Sequence, residues 1–403
     1  MLYISIRENK LLGGFTMGLK DLFRKKDTSA GDEGKNTDPK ENEVSLEKQE
    51  AAKEIMQEET AGGVEEQQTK QVKESQKSGM ITEERRKEIG PIILKQHIEE
   101  EDLEALNIQE TIFLLCSVDH FNEQSGIENY EEKCELLDRV LAKKLADAET
   151  LYMTFDKLTN YPFITQGCVE IYSDMAYARD AVEHYAEQYR VIETHKITKG
   201  MSSFPNQMSL FEYLHYLGME HILVDNGRFK TVVERQDICP MEKRPEEFDI
   251  TKPVMNPQLR FAIIDFFEEA RWPVSYEKRE ENMKKKEDKM LAQLKKSKFL
   301  VPMCYPDEKV EKEQNQVEFK PGKNMILAKV ETKEHVSYTP LFTDWVEFAK
   351  IYKPDRWNGL VLSFEEAIQL NKDMGIVVNP MGENLIMNQQ SFEAMKAQEA
   401  KEE

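Results

Sequence analysis

Few residues in this chain have the type and spacing that chemistry needs. Asp174 and Asp344 stand at matching places behind the short runs 170–173 and 340–343, and paired carboxylates can share acid–base work. Each also begins a predicted helix, where a carboxylate accepts from free amides and meets the positive end of the helix dipole. We assign both to capping, with Glu347 three residues after Asp344 completing a capping-box pattern. The seven histidines (His97, His120, His184, His195, His215, His221, His335) offer no metal-ligand spacing. The five cysteines (Cys116, Cys134, Cys168, Cys239, Cys304) are odd in number, widely spaced and free of any C-x-x-C pair, as expected of reduced thiols. Counting back from Gly126 in the acidic stretch 119–132 puts Phe121 at the first ligand position, so the calcium-loop pattern fails. Phosphate-cradling glycine loops and nucleophile motifs are missing as well. The sequence therefore predicts no catalytic, metal-ligating or cofactor-binding residue, and no cofactor.

The remaining candidates are aromatic. Trp345, Tyr352 and Trp357 lie close in sequence to Pro340, Phe342 and Pro354, and Tyr172 and Tyr177 stand near the matching run upstream. Large amphipathic rings beside a strand-to-helix corner can anchor a protein partner. The alternative is that they cover the sheet of a small domain.

These candidates must be positioned by a chain of 403 residues with 33% charged residues and a net charge of −21. That balance repels phosphate backbones, so no nucleic-acid partner is expected. No stretch reaches the roughly 20 apolar residues of a membrane span, so stable membrane insertion is not expected either, and the chain reads as cytoplasmic. Residues 1–80 read as a disordered charged arm: no aromatic occurs between Phe23 and Phe113, and 27–80 are rich in Glu, Lys, Gln, Ser, Thr and Gly. Met17 offers a second start, followed by a short basic amphipathic segment. Order is expected from about Ile81, with Thr82 capping a helix. The run 111–118 (TIFLLCSV) reads as a buried strand, 130–146 as an amphipathic helix with Leu136, Leu137, Val140, Leu141 and Leu145 inward, and 275–298 as a charged helix with Met283, Met290, Leu291 and Leu294 on one stripe.

Self-similarity organises the rest. Residues 209–228 and 363–382 align without a gap at an offset of 154. Both begin Ser-x-x-Glu, a capping box, and continue into helix, aliphatic strand and turn. Upstream, 170–174 matches 340–344 at an offset of 170, and 151–155 and 113–118 are set against 325–330 and 299–304. The difference in offsets gives the first copy 16 extra residues, placed in 188–208.

In the second copy, Tyr338-Thr-Pro-Leu-Phe-Thr-Asp344 and Met374-Gly-Ile-Val-Val-Asn-Pro380 with Gly382 resemble the SseB N-terminal domain family of bacterial proteins, tied by name to enhanced serine sensitivity. The first copy departs from that pattern at Ile171-Tyr172-Ser173-Asp174 and at Val224-Asp225-Asn226-Gly227, and is assigned only through the repeat. The resemblance implies an α+β fold, here two tandem diverged SseB-like modules, each a small sheet packed with helices, behind the arm. The expected organisation is arm 1–80, first module 81–250, helical connector 251–298 and second module 299–397. It carries over no catalytic residue and no cofactor. The expected function is non-enzymatic protein binding through the module corners, with a partner of unknown identity. The alternative is an amino-acid or nucleotide sensor, or an enzyme, using a groove between modules.

Overall fold

A computed structural model describes residues 3–5, 81–240, 254–304, 326–333, 335–353, 356–370 and 374–402. The predicted arm and the segment after Met17 lie outside them, except for strand β1 (Tyr3–Ser5). Contacts divide the chain into a central unit, Asp38–Pro245 with Ile264–Met283, and a C-terminal unit, Glu246–Ile263 and Lys284–Glu403 with Met1–Thr37. The class is mixed α and β, with several small sheets. No described helix is long and apolar enough to cross a membrane.

In the central unit, helices α1 (Ile108–Ser125) and α2 (Tyr130–Asp147) lead into β2 (Thr150–Asp156), β3 (Tyr161–Pro162), β4 (Ile164–Thr165) and β5 (Cys168–Tyr172). There follow α3 (Met175–Glu187), β6 (Ile192–Thr198), α4 (Leu210–Tyr216), β7 (His221–Val224) and β8 (Thr231–Glu234). The sheet runs β3-β2-β5-β7-β8, with β4 on β5 and β6 on β2. The predicted strand at 111–118 is instead part of α1. An Asn107–Glu110 capping box starts that helix, and Thr111, Leu114, Leu115 and Val118 are buried at i, i+3, i+4 and i+7. A continuous apolar run of eight residues satisfies either period, and the cap upstream decides it. In α2 the five predicted residues face inward.

The next two helices, α5 (Pro257–Arg271) and α6 (Arg279–Lys296), have residues in both units. Met290, Leu291 and Leu294 form the buried stripe of α6. Beyond them come β9 (Lys298–Cys304), β10 (Ile326–Leu327), β11 (Lys329–Glu331), β12 (Ser337–Leu341), α7 (Trp345–Ala349) and β13 (Asn358–Ser363). The unit continues with α8 (Phe364–Leu370), β14 (Gly375–Val378) and β15 (Leu385–Met387). One sheet is β1-β11-β12-β14-β15 and the other β10-β9-β13.

The two units share register. Ile171 pairs with Val224 in the parallel β5–β7 ladder as Leu341 pairs with Val378 in β12–β14. Val224 then pairs with Thr231 as Val378 pairs with Leu385. Every one of these positions differs by the 170 or 154 seen in the sequence. Upstream, α1, α2 and β2 begin 149, 149 and 148 residues before α5, α6 and β9. β2 pairs antiparallel with β6 as β9 does with β13, and the Tyr152–Tyr172 pair has its match in the bridge Leu300–Phe342. The strand matching 151–155 is therefore β9, not 325–330, and 113–118, being helical, has no strand counterpart. The 16-residue excess falls only partly in 188–208, because α3 has 13 residues where α7 has 5.

Candidate functional site

Both units place polar side chains at the carboxyl ends of their two parallel strands, where open sheets with parallel strands commonly present binding groups. At the C-terminal corner, Asp344 caps α7 by accepting from the amides of Val346 and Glu347, at 2.9 Å each. Its other oxygen accepts from the Thr343 hydroxyl at 2.7 Å. Asn379, with φ +47°, accepts from the Thr343 amide at 3.0 Å and donates to the Thr343 hydroxyl and to Glu383. Asn tolerates this left-handed backbone better than most residues.

Into this corner α5 delivers Arg260, a guanidinium 2% exposed. It donates to Glu383 at 2.6 Å and Glu347 at 2.9 Å, and pairs with Asp344 at 3.5 Å. All three carboxylates are buried. Lys350 reaches the second oxygen of Glu347 at 2.7 Å. The predicted capping box at Asp344 thus forms in one direction: the Glu347 amide donates to Asp344, but its carboxylate turns to Arg260 and Lys350. Gly382 makes room for it, since a Cβ there would sit 2.7 Å from the Glu347 carboxylate.

At the central corner, Asp225, with φ +50°, stands where Asn379 does. It accepts from the amide and hydroxyl of Ser173, at 2.7 and 2.6 Å, and from the Gln109 side chain at 2.8 Å. Burial, aided by the charge of Asp174, pushes its carboxyl pKa up against those hydrogen bonds. Asp174 caps α3 through the Ala176 amide. Counting from the matched pairs, Thr111, Tyr177 and Phe229 replace Arg260, Glu347 and Glu383, so of Arg260 and its three carboxylates only Asp344 keeps a charged counterpart, Asp174. The opposite exchange occurs beside it. Glu170, fully buried, accepts from the Tyr172 hydroxyl at 2.7 Å, the Tyr185 hydroxyl and Asn226 Nδ2 at 2.6 Å. In the C-terminal unit the matching positions of Glu170, Tyr172 and Asn226 hold Pro340, Phe342 and Pro380, all buried. Burial and the charge of Glu170 push both phenols well above the ordinary tyrosine value.

Of the six predicted aromatic residues the structure places four in cores, the second of the two alternatives. Phe342, Tyr352 and Trp357 are buried with Leu300, Cys304, Ala328 and Phe348, and Tyr172 is buried with Phe163, Ala178 and Tyr185. These four rings build cores and present no face to a partner. Trp345 is half-buried and lies over Gly359 of β13, where a Cβ would come 2.8 Å from the ring. Tyr177 is also half-buried. The sequence reading missed Arg260, Glu383, Glu170 and Tyr185. One signal was available for Arg260: it interrupts the apolar stripe Leu259, Ala262, Ile263 and Phe266.

In these corners Asp344, Glu383, Asp225 and Glu170 each accept hydrogen bonds from within their own unit. The five cysteines are free thiols, and no His, Cys, Asp and Glu cluster suited to a metal occurs among the described residues. No curated protein and no solved structure matches the chain. Residues 277–389, which contain α7, Asn379 and Glu383, match the family model of the SseB protein N-terminal domain, so this C-terminal part of the chain is similar to that family.

Proposed function

We propose that this is a non-enzymatic cytoplasmic binding protein made of two diverged SseB-like modules, and that the C-terminal module engages a protein partner beside its corner. One observation carries the reading. Arg260, Asp344, Glu347, Lys350 and Glu383 are held by one another, whereas Trp345 next to them keeps part of its ring at the surface. A half-exposed tryptophan on a rigid corner suits recognition better than catalysis. The common register of the two sheets supports reading the units as copies.

A native-lysate pull-down with wild type and Trp345→Ala tests this, with melting temperatures confirming that both are folded. A partner recovered by wild type and depleted in the variant is expected. Equal recovery by both, or nothing with either, counts against it. A rise in melting temperature with an amino acid or nucleotide would favour the sensor alternative.

A further inference from the structure

Strand β13 pairs with β9 over its full length, Asn358 opposite Met303 to Ser363 opposite Lys298, and has no second neighbour among the described strands. β6 is in the same situation on β2. Because β2 and β9 correspond, the two edges can be compared residue by residue. Glu193 opposite Phe155 matches Asn358 opposite Met303. His195 opposite Met153 matches Leu360 opposite Val301, and Lys196 opposite Tyr152 matches Val361 opposite Leu300.

Charged side chains on an edge strand deter other chains from adding to it. β6 carries them, with His195 and Lys196 both exposed and Glu193 paired to His195 at 2.7 Å. β13 carries none. Where β6 has Lys196, β13 has Val361, a β-branched residue 46% exposed. An uncharged edge of this kind is a template for another strand.

The flanking charges identify that strand. Before β13, the run 353–357 has a net positive charge, with Lys353 and Arg356 exposed, while after it Glu365 and Glu366 are exposed. Two copies aligned antiparallel set the basic end of each against the acidic end of the other, whereas parallel alignment would oppose like charges. Leu360-Val361-Leu362 reads the same in both directions, so antiparallel pairing about Val361 is self-complementary and closes as a two-fold.

We propose that β13 is a self-association edge and that two copies of this chain pair through it, antiparallel and centred on Val361. This goes beyond the partner proposed for the Trp345 surface and does not depend on it. Sedimentation velocity on the full chain over a range of concentrations tests it. Wild type should sediment as a dimer. Val361→Lys, which installs the residue found at the matched position of β6, should be monomeric with an unchanged far-UV spectrum. Arg356→Glu should raise the dimer Kd about tenfold, and adding Glu365→Arg should restore it. A wild type that is monomeric at every concentration overturns the proposal, as does a folded Val361→Lys that dimerises as well as wild type. If Val361→Lys does not fold, failure of the charge exchange to weaken and then restore the dimer overturns it.

Discussion

Arg260 and Asp225 are opposite cases of buried charge. Arg260 has three carboxylate neighbours, so removing it leaves uncompensated buried charge. Arg260→Ala is expected to lose about 3–5 kcal/mol of stability in chemical denaturation. Asp225 has hydrogen bonds but no cation, and its native state holds a proton to higher pH than the unfolded chain does. Its contribution to stability is therefore complete at low pH and is lost as pH rises from the ordinary aspartate range through the higher native value. Asp225→Asn copies the residue at the matched position, Asn379, and accommodates it by reversing the Gln109 amide. Its melting temperature should gain on wild type as pH is raised across that window, whereas a constant difference at all pH values would contradict the assignment. Neither role was legible in the sequence. The partners of Arg260 are 84 to 123 residues away in the chain, and only folding makes them neighbours.

Short-range signals proved the most readable. The capping boxes Ser209–Glu212 and Ser363–Glu366 form as their spacing predicts, with the Glu carboxylates accepting from the Ser amides at 2.7 and 2.8 Å. Ser209→Ala and Ser363→Ala should each cost about 1 kcal/mol, read as a shift in denaturation midpoint without a change in slope. The strands β7 and β14 and the turns after them were equally legible, since aliphatic runs ending in Asp225 or Asn379 specify both, whereas their parallel pairing with β5 and β12 was not. Residues 111–118 were misread because periodicity cannot separate a buried strand from a buried helix over eight apolar residues. For the aromatic residues the choice between anchoring a partner and covering the sheet was not legible, because ring exposure depends on what packs over it, and Phe342, Tyr352 and Trp357 are covered by one another.

For the whole molecule, the boundary that matters is not where the family match begins. Arg260 lies upstream of residue 277, while Asp344, Glu347 and Glu383 lie within the match. A fragment of residues 277–389 should fail to fold cooperatively, because it keeps three buried carboxylates and loses their guanidinium. One of residues 254–403 should show a cooperative thermal transition. Circular dichroism of the two fragments decides the point. The same separation limits how such a chain can change over generations. Tyr177 and Phe229 stand where the C-terminal unit has two of its acids, and Thr111 where it has their cation, so an ionic corner of that kind in the central unit needs changes at all three positions. The two corners are thus several substitutions apart, while the strand register beneath them is the same.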